Sequence, residues 1–119
     1  MRVECRFMCV FCRIASGEIK ADVVWQDEES IAFRDLGPQA PTHLLVIPRR
    51  HVATVNDLAG SDAPMVGRLV LAAKDLAAKL GFAEAGYRLV LNCNAHGGQS
   101  VFHLHLHVLA GRPMLWPPG

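Results

Sequence analysis

The sequence predicts an α+β domain: an antiparallel sheet of about five strands grouped around one long helix, with a short helix at the N-terminal end. Two observations carry most of this. Residues 102–108 alternate without a break, with Phe102, Leu104, Leu106 and Val108 on one parity and His103, His105 and His107 on the other. Successive side chains of a strand point to opposite faces, so the segment should bury its aliphatic row and present three imidazoles on the other side. Residues 65–80 carry instead one long apolar repeat at helical spacing, and several short strand-like runs surround it.

Taken in order, residues 11–15 make a short helical turn stopped by Ser16 and Gly17. Residues 23–25 and 30–34 read as a hairpin around Asp27, Glu28 and Glu29. Pro38-Gln39-Ala40-Pro41 is a rigid connection into an apolar strand at residues 43–48. Ser61 is the expected N-cap of the long helix, with Pro64 in its first turn and Gly81 as its stop. Met65, Val66, Leu69, Val70, Ala73, Leu76, Ala77 and Leu80 form its core-facing set, while Arg68, Lys74, Asp75 and Lys79 face out. A strand at residues 87–91 and the histidine strand complete the sheet.

A chain of 119 residues suits one domain with a single core, here residues 9–119. Residues 1–8 lack the apolar centre of a signal peptide and form either a disordered leader or a stretch ahead of a true start at Met8. Hydrophobic residues make up 51% and charged ones 19%, an apolar surplus that we read as buried subunit interface. A net charge of +1 argues against a nucleic-acid partner bound by phosphate neutralisation. No apolar run reaches the length of a membrane span, so a cytoplasmic location is expected. In a reducing compartment Cys5, Cys9, Cys12 and Cys93 are not expected to pair. Cys9-Val10-Phe11-Cys12 has the spacing of a metal knuckle or a redox pair. Because no second such pair follows, a closed zinc site would need two histidines, with His51 and one member of the row as candidates. An unligated pair of half-buried thiols is the other reading.

Half of the chain's six histidines lie in the row. At about 3.3 Å per residue, His103 and His107 stand roughly 13 Å apart along a strand. One tetrahedral ion with Zn–N bonds of about 2 Å cannot take all three, although two neighbours could share one. The other use is covalent. An imidazole with an ordinary pKa near 6.5 is largely neutral and nucleophilic at neutral pH, and its neighbours can orient it, protonate a leaving group or neutralise charge. Just upstream runs Asn92-Cys93-Asn94-Ala95-His96-Gly97-Gly98-Gln99-Ser100. Two glycines and a serine there let backbone N–H groups approach an anion closely. No Gly-Lys-Ser/Thr follows and no helix is expected after it, which excludes a Walker A loop. Alone it would be a plain hairpin loop; beside three imidazoles, a phosphate or oxyanion cradle is the better reading.

His103-Leu104-His105-Leu106-His107-Val108-Leu109 resembles the H-φ-H-φ-H-φ-φ signature of the histidine-triad (HIT) superfamily, where φ is an apolar residue. From Cys9 to the last residue the chain is similar to the Hint branch, the purine nucleoside phosphoramidases. The motifs that carry this, in order, are Cys9-Val10-Phe11-Cys12-Arg13-Ile14, Ala32-Phe33-Arg34-Asp35, Pro38-Gln39-Ala40-Pro41-Thr42-His43-Leu44-Leu45-Val46-Ile47-Pro48, Gly97-Gly98-Gln99-Ser100-Val101-Phe102 and Trp116-Pro117-Pro118-Gly119.

The resemblance implies a HIT-like fold that dimerises into one continuous sheet through the long helix, a strand and the C-terminal tail. It implies hydrolysis of the P–N bond of purine nucleoside 5′-phosphoramidates and aminoacyl-adenylate-like compounds through a covalent nucleotidyl-histidine intermediate. His105 would be the nucleophile on the α-phosphorus, flanked by His103 and His107, with His107 hydrogen bonding to phosphate or leaving group. His43 would orient the nucleophilic ring and Ser100 would contact the leaving group. Asn92 and the Gly98 backbone would bind phosphate, Asp35 the ribose hydroxyls, and Phe33 and Leu36 would line the base pocket. In zinc-containing relatives the matching ligands of a structural ion would be Cys9, Cys12, His51 and His103; no catalytic metal is expected. Trp116, Pro117 and Pro118 would be structural. The loop at residues 93–96 departs from the acidic or Ser-rich version of the animal enzymes, and His96 adds a titratable group near the leaving-group side. Two other functions fit less well: a dinucleoside polyphosphate hydrolase, and a nucleotide-binding interaction protein with vestigial chemistry, which an intact His105 and Ser100 disfavour.

Overall fold

The apolar run before Pro48 becomes the middle strand of the sheet. In the computed structural model, which describes residues 8–119, the elements are α1 (Val10–Ala15), β1 (Val23–Gln26), β2 (Ser30–Arg34), β3 (Thr42–Pro48), α2 (Ala63–Leu80), β4 (Tyr87–Val90), α3 (Asn94–Gly97) and β5 (Leu106–Ala110), with 3₁₀ turns at Val55–Asp57 and Gly60–Asp62. The expectations for the first seven residues lie outside the described residues. The five strands are ordered β1-β2-β3-β5-β4 and every neighbouring pair is antiparallel. The α+β fold with one long and one short N-terminal helix is therefore as the sequence predicts.

β3 sends Leu44 and Val46 into a core shared with α2, and Leu45 and Ile47 into a second core shared with α1. A strand buried on both faces reads as a continuous apolar run instead of an alternating one. On β5, Leu106, Val108 and Ala110 join Leu69, Ala73, Leu76 and Ala77 of α2, so the aliphatic parity of the histidine row faces the helix.

Three local expectations are corrected. The histidine row is strand only from Leu106 onward. Two steps past the last pair, Val46 with Leu106, the register would set Pro48 against Leu104, but proline has no N–H to donate. Its carbonyl instead accepts from the His103 ring at 2.7 Å, and the Leu104 N–H turns to the Val52 carbonyl at 2.7 Å. The residue at the N-cap of α2 is Asp62 and not Ser61, one position earlier in the preceding 3₁₀ turn, and the Asp62 side chain makes no capping bond to α2. The Asp62 carboxylate reaches back to the Ala59 N–H at 2.8 Å and pairs with Arg50. The buried stripe of α2 is Leu69, Ala72, Ala73, Leu76 and Ala77, narrower than the sequence pattern. Val70 and Leu80 point outward, 40% and 41% exposed, beside an exposed Leu71. Alanines seat the helix close to the sheet, so only the residues directly beneath it are covered. Among the described residues, no helix is long and apolar enough to cross a membrane.

Candidate active site

The face of the sheet turned away from α2 holds the chemistry. Register sets His107 opposite Leu45 and His43 opposite Leu109, so His43, Leu45, Ile47 and His107 share one side of the sheet. Part of that side is covered by α1, whose Phe11 meets the rings of His105 at 5.1 Å, Phe33 at 5.5 Å and His103 at 6.1 Å edge-on. The part left open is a cleft of about 290 Å³. Val10, Phe11, Ile14, Ile19, Ala21, Phe33 and Leu45 make its apolar wall, while Asp35, His105 and His107 stand at its polar end. Leu36 lies on the rim and is 98% exposed.

Backbone carbonyls and amides fix the proton on each ring, because a carbonyl only accepts and an N–H only donates. His105 Nδ1 donates to the His103 carbonyl at 2.7 Å, which leaves a lone pair on His105 Nε2. His103 Nε2 donates to the Pro48 carbonyl, which leaves the lone pair on its Nδ1. The Gln39 N–H donates to His43 Nδ1 at 3.0 Å, so a neutral His43 keeps its proton on Nε2 and offers it to His107 Nδ1 at 2.9 Å. His43 thus bonds to His107, while the His105 ring is oriented by the main chain of His103. The register explains the difference: His43 sits diagonally from His107 across the β3–β5 ladder, and His105 lies beyond the end of β5.

Burial favours the neutral form of all these rings. It is the largest influence on His103 and His107, both lowered to about 4; the neighbouring histidines push the same way, while the Pro48 carbonyl opposes at His103 and Asp35 opposes at His107. His105 and His43 are also lowered, chiefly by burial, with the charge of Asp35 pulling upward on each.

Behind the row, Cys9, Cys12, His51 and His103 bring four donor atoms within 4.8 Å of one another. His103 Nδ1 lies 3.4 Å from each sulfur and 3.2 Å from His51 Nδ1, which is 3.3 Å from the Cys12 sulfur. Tetrahedral zinc, with bonds of about 2.0 Å to nitrogen and 2.3 Å to sulfur, sets neighbouring donors roughly 3.3–3.8 Å apart. The donor set therefore fits a structural metal, and the Pro48 carbonyl supplies the outer hydrogen bond that aims the lone pair of His103 at it. The same residue serves both clusters: its ring belongs to the metal set and its carbonyl holds His105.

The profile of the HIT domain matches residues 16–114, most of the chain. The protein belongs to the HIT family. A purine nucleoside phosphoramidase from Escherichia coli is 48% identical over 105 residues, 88% of this chain and 88% of its own length. An uncharacterized HIT-like protein from Synechococcus elongatus is 46% identical over 110 residues, 92% of this chain and 96% of its own. Among solved structures, a HIT family hydrolase from Legionella pneumophila superposes with a TM-score of 0.92 at 55% identity, covering 93% of this chain and 99% of that one. A histidine triad protein from Clostridium difficile does so at 0.90 and 38% identity, covering 95% and 97%.

Within this HIT domain, Asn92, Gly98 and Ser100 are not part of the cleft wall; they lie on the connection from β4 to His103, with Gly98 and Ser100 exposed. That connection contains a helical turn, α3, where the sequence suggested only loop. It is anchored by a residue to which sequence reasoning assigned no role. Gln99 is buried; its Nε2 donates to the carbonyls of Ala53 at 2.8 Å and Val101 at 3.0 Å, and its Oε1 accepts from the Asn94 N–H at 2.9 Å. Val10, Ile14, Ile19 and Ala21 also escaped notice as cleft residues. The spacing of Val10 and Ile14, one turn apart on a helix, was the available signal.

Proposed function

We propose that this HIT protein is a nucleotide hydrolase that cleaves the P–N bond of purine nucleoside 5′-phosphoramidates, including aminoacyl-adenylate-like compounds. The observation that carries the reading is the tautomer of His105: its Nδ1–H is committed to the His103 carbonyl, and its Nε2 lone pair is left at the polar end of an apolar cleft. The likeness to the phosphoramidase of Escherichia coli supports the bond chosen. A purine fits against Phe11, Phe33 and Ile14, with Leu36 at the rim, its ribose hydroxyls at Asp35 and its α-phosphorus before His105.

In the first step His105 Nε2 attacks phosphorus, the P–N bond to the amine breaks, and the amine leaves with one proton taken from solvent water. In the second, water attacks the nucleotidyl-imidazole and gives one proton back to solvent, the P–Nε2 bond breaks, and the lone pair returns to His105 as the nucleoside monophosphate departs. His107 donates from Nε2 to a phosphoryl oxygen, where a neutral donor in a water-poor site stabilises developing charge. Ser100, Asn92 and the Gly98 N–H serve the leaving-group and phosphate side. A zinc ion held by Cys9, Cys12, His51 and His103 would tie α1 to the row and rest His103 in place, without entering the reaction. The free thiols of Cys9 and Cys93 suit a cytoplasmic location. β4 is an edge strand, and Val70, Leu71, Leu91, Leu115 and Trp116 are exposed apolar groups on α2, at the end of β4 and on the C-terminal tail. These support a homodimer that continues the sheet.

The test is hydrolysis of an adenosine 5′-phosphoramidate carrying a fluorescent amine. His105→Ala should lose about a thousandfold or more in kcat, and quenching of the wild type in alkaline denaturant, where the acid-labile P–N bond survives, should trap a nucleotidyl group on His105. Turnover unaffected by the substitution would sink the reading, and turnover of dinucleoside polyphosphates alone would shift it to that substrate class.

A further inference from the structure

Asp35, His43 and His107 form a second cluster, with ligand atoms all within 4.8 Å of one another, and its hydrogen bonds leave one proton with two acceptors. The Gln39 N–H occupies His43 Nδ1, so the proton of a neutral His43 is on Nε2. Two atoms lie within reach of it: His107 Nδ1 at 2.9 Å and Asp35 Oδ2 at 3.4 Å. The other carboxylate oxygen of Asp35 accepts from the Gly37 N–H at 2.8 Å, which pins the side chain at the cleft wall. Both rings are held toward the neutral form by burial, so Asp35 competes for a shared hydrogen bond and does not complete a full ion pair.

We propose that Asp35 acts through His43 to link ribose recognition to phosphoryl activation: ribose hydroxyls bound at Asp35 release the His43 Nε2 proton to His107 Nδ1 and so hold His107 as an Nε2–H donor. The inference rests on the nucleotide hydrolase reading above. When the carboxylate accepts hydroxyl protons, its charge is spread over those bonds and its pull on His43 weakens. No proton changes its covalent owner; it stays on His43 Nε2 and its hydrogen bond swings wholly to His107. His107 cannot carry a proton on the nitrogen that faces another N–H at 2.9 Å, so its own proton stays on Nε2, the nitrogen left for a phosphoryl oxygen. His43 is a positioning residue in this scheme, and Gln39, held between Pro38 and Pro41, supplies the main-chain N–H from which the chain of tautomers starts.

A sugar hydroxyl that only tightened binding would change KM; one that strengthens a donor to the reacting phosphoryl group changes kcat. The experiment compares an adenosine 5′-phosphoramidate with its 2′,3′-dideoxy analogue in wild type, Asp35→Asn, His43→Gln and His43→Ala, alongside NMR of ring-labelled histidine. In wild type the dideoxy substrate should lose about three- to tenfold in kcat, the size of one hydrogen bond. Asp35→Asn should turn over both substrates with one kcat. His43→Gln keeps an amide N–H for His107, so it should exceed His43→Ala in kcat while also losing the sugar discrimination. In the NMR arm, adenosine should shift the His43 Nε2 and His107 Nδ1 resonances and dideoxyadenosine should not. Equal kcat for the two substrates in wild type, with KM alone responding, overturns the proposal. So does an NMR response identical for the two nucleosides. If wild type hydrolyses neither substrate, the hydrolase reading fails separately, and the NMR comparison decides the link by itself.

Discussion

Replacing Gln99 by methionine keeps an unbranched side chain of similar length and removes three hydrogen bonds at once. The partners do not suffer equally. Ala53 is buried, 8% exposed, and its carbonyl would be left without a partner, at a cost of about 1–3 kcal/mol. The Asn94 N–H and Val101 carbonyl are half-buried, and water can reach them, so each costs about 0.5 kcal/mol. Gln99→Met should therefore destabilise the fold by roughly 2–4 kcal/mol. Unfolding entropy near the midpoint is about 2.1 cal/mol/K per residue, so for a chain of 119 residues each kcal/mol moves Tm by about 4 °C. Thermal unfolding followed by circular dichroism should show a drop of about 8–16 °C. Phosphoramidate turnover should fall through kcat, because Gly98 and Ser100 flank the lost anchor. A Tm within about 3 °C of wild type, with kcat unchanged, would refute the claim that this amide holds the loop.

Three further outcomes are expected. Native His107 is held at about 4 against an ordinary 6.5, so between those values the unfolded chain takes a proton that the native ring refuses. Stability is then fully present above about pH 6.5 and falls as pH drops toward 4, with His43 and His105 acting in the same direction. A Tm that is flat or rises on acidification across that window would contradict this. Cys12→Ser removes a sulfur lying 3.3 Å from His51 Nδ1 and 3.4 Å from His103 Nδ1; elemental analysis should show zinc per chain reduced about tenfold or more. A zinc content that matches wild type would count against the site, as would zinc-free wild type. Gly111 has φ 98°, and a Cβ there would meet Pro41 at 2.8 Å, so Gly111→Ala should cost about 1–3 kcal/mol in chemical denaturation. A smaller change would mean that the end of β5 can shift.

What was legible in the sequence is what backbone geometry repeats along the chain. The period of two in the histidine row placed its imidazoles and aliphatic residues on opposite faces, and the structure keeps that division even where the strand has ended. The period of α2, the hairpin of β1 and β2 and the spacing of Cys9 and Cys12 are local in the same sense. Residue identity in several separated motifs carried the family. Tertiary structure decided the rest, because the state of each ring depends on which backbone group faces it. His103 finds the Pro48 carbonyl 55 positions away and His43 finds His107 64 positions away. Those contacts, and not the order of residues, leave the proton off His103 Nδ1 and make His107 Nδ1 an acceptor, while His105 takes its tautomer from the His103 carbonyl two residues away. The same holds for Gln99 clasping Ala53 and for Val10, Phe11 and Ile14 of α1, which wall the cleft. Periodicity is written in each segment alone, whereas a tautomer, a ligand distance or a satisfied amide exists only once distant segments meet.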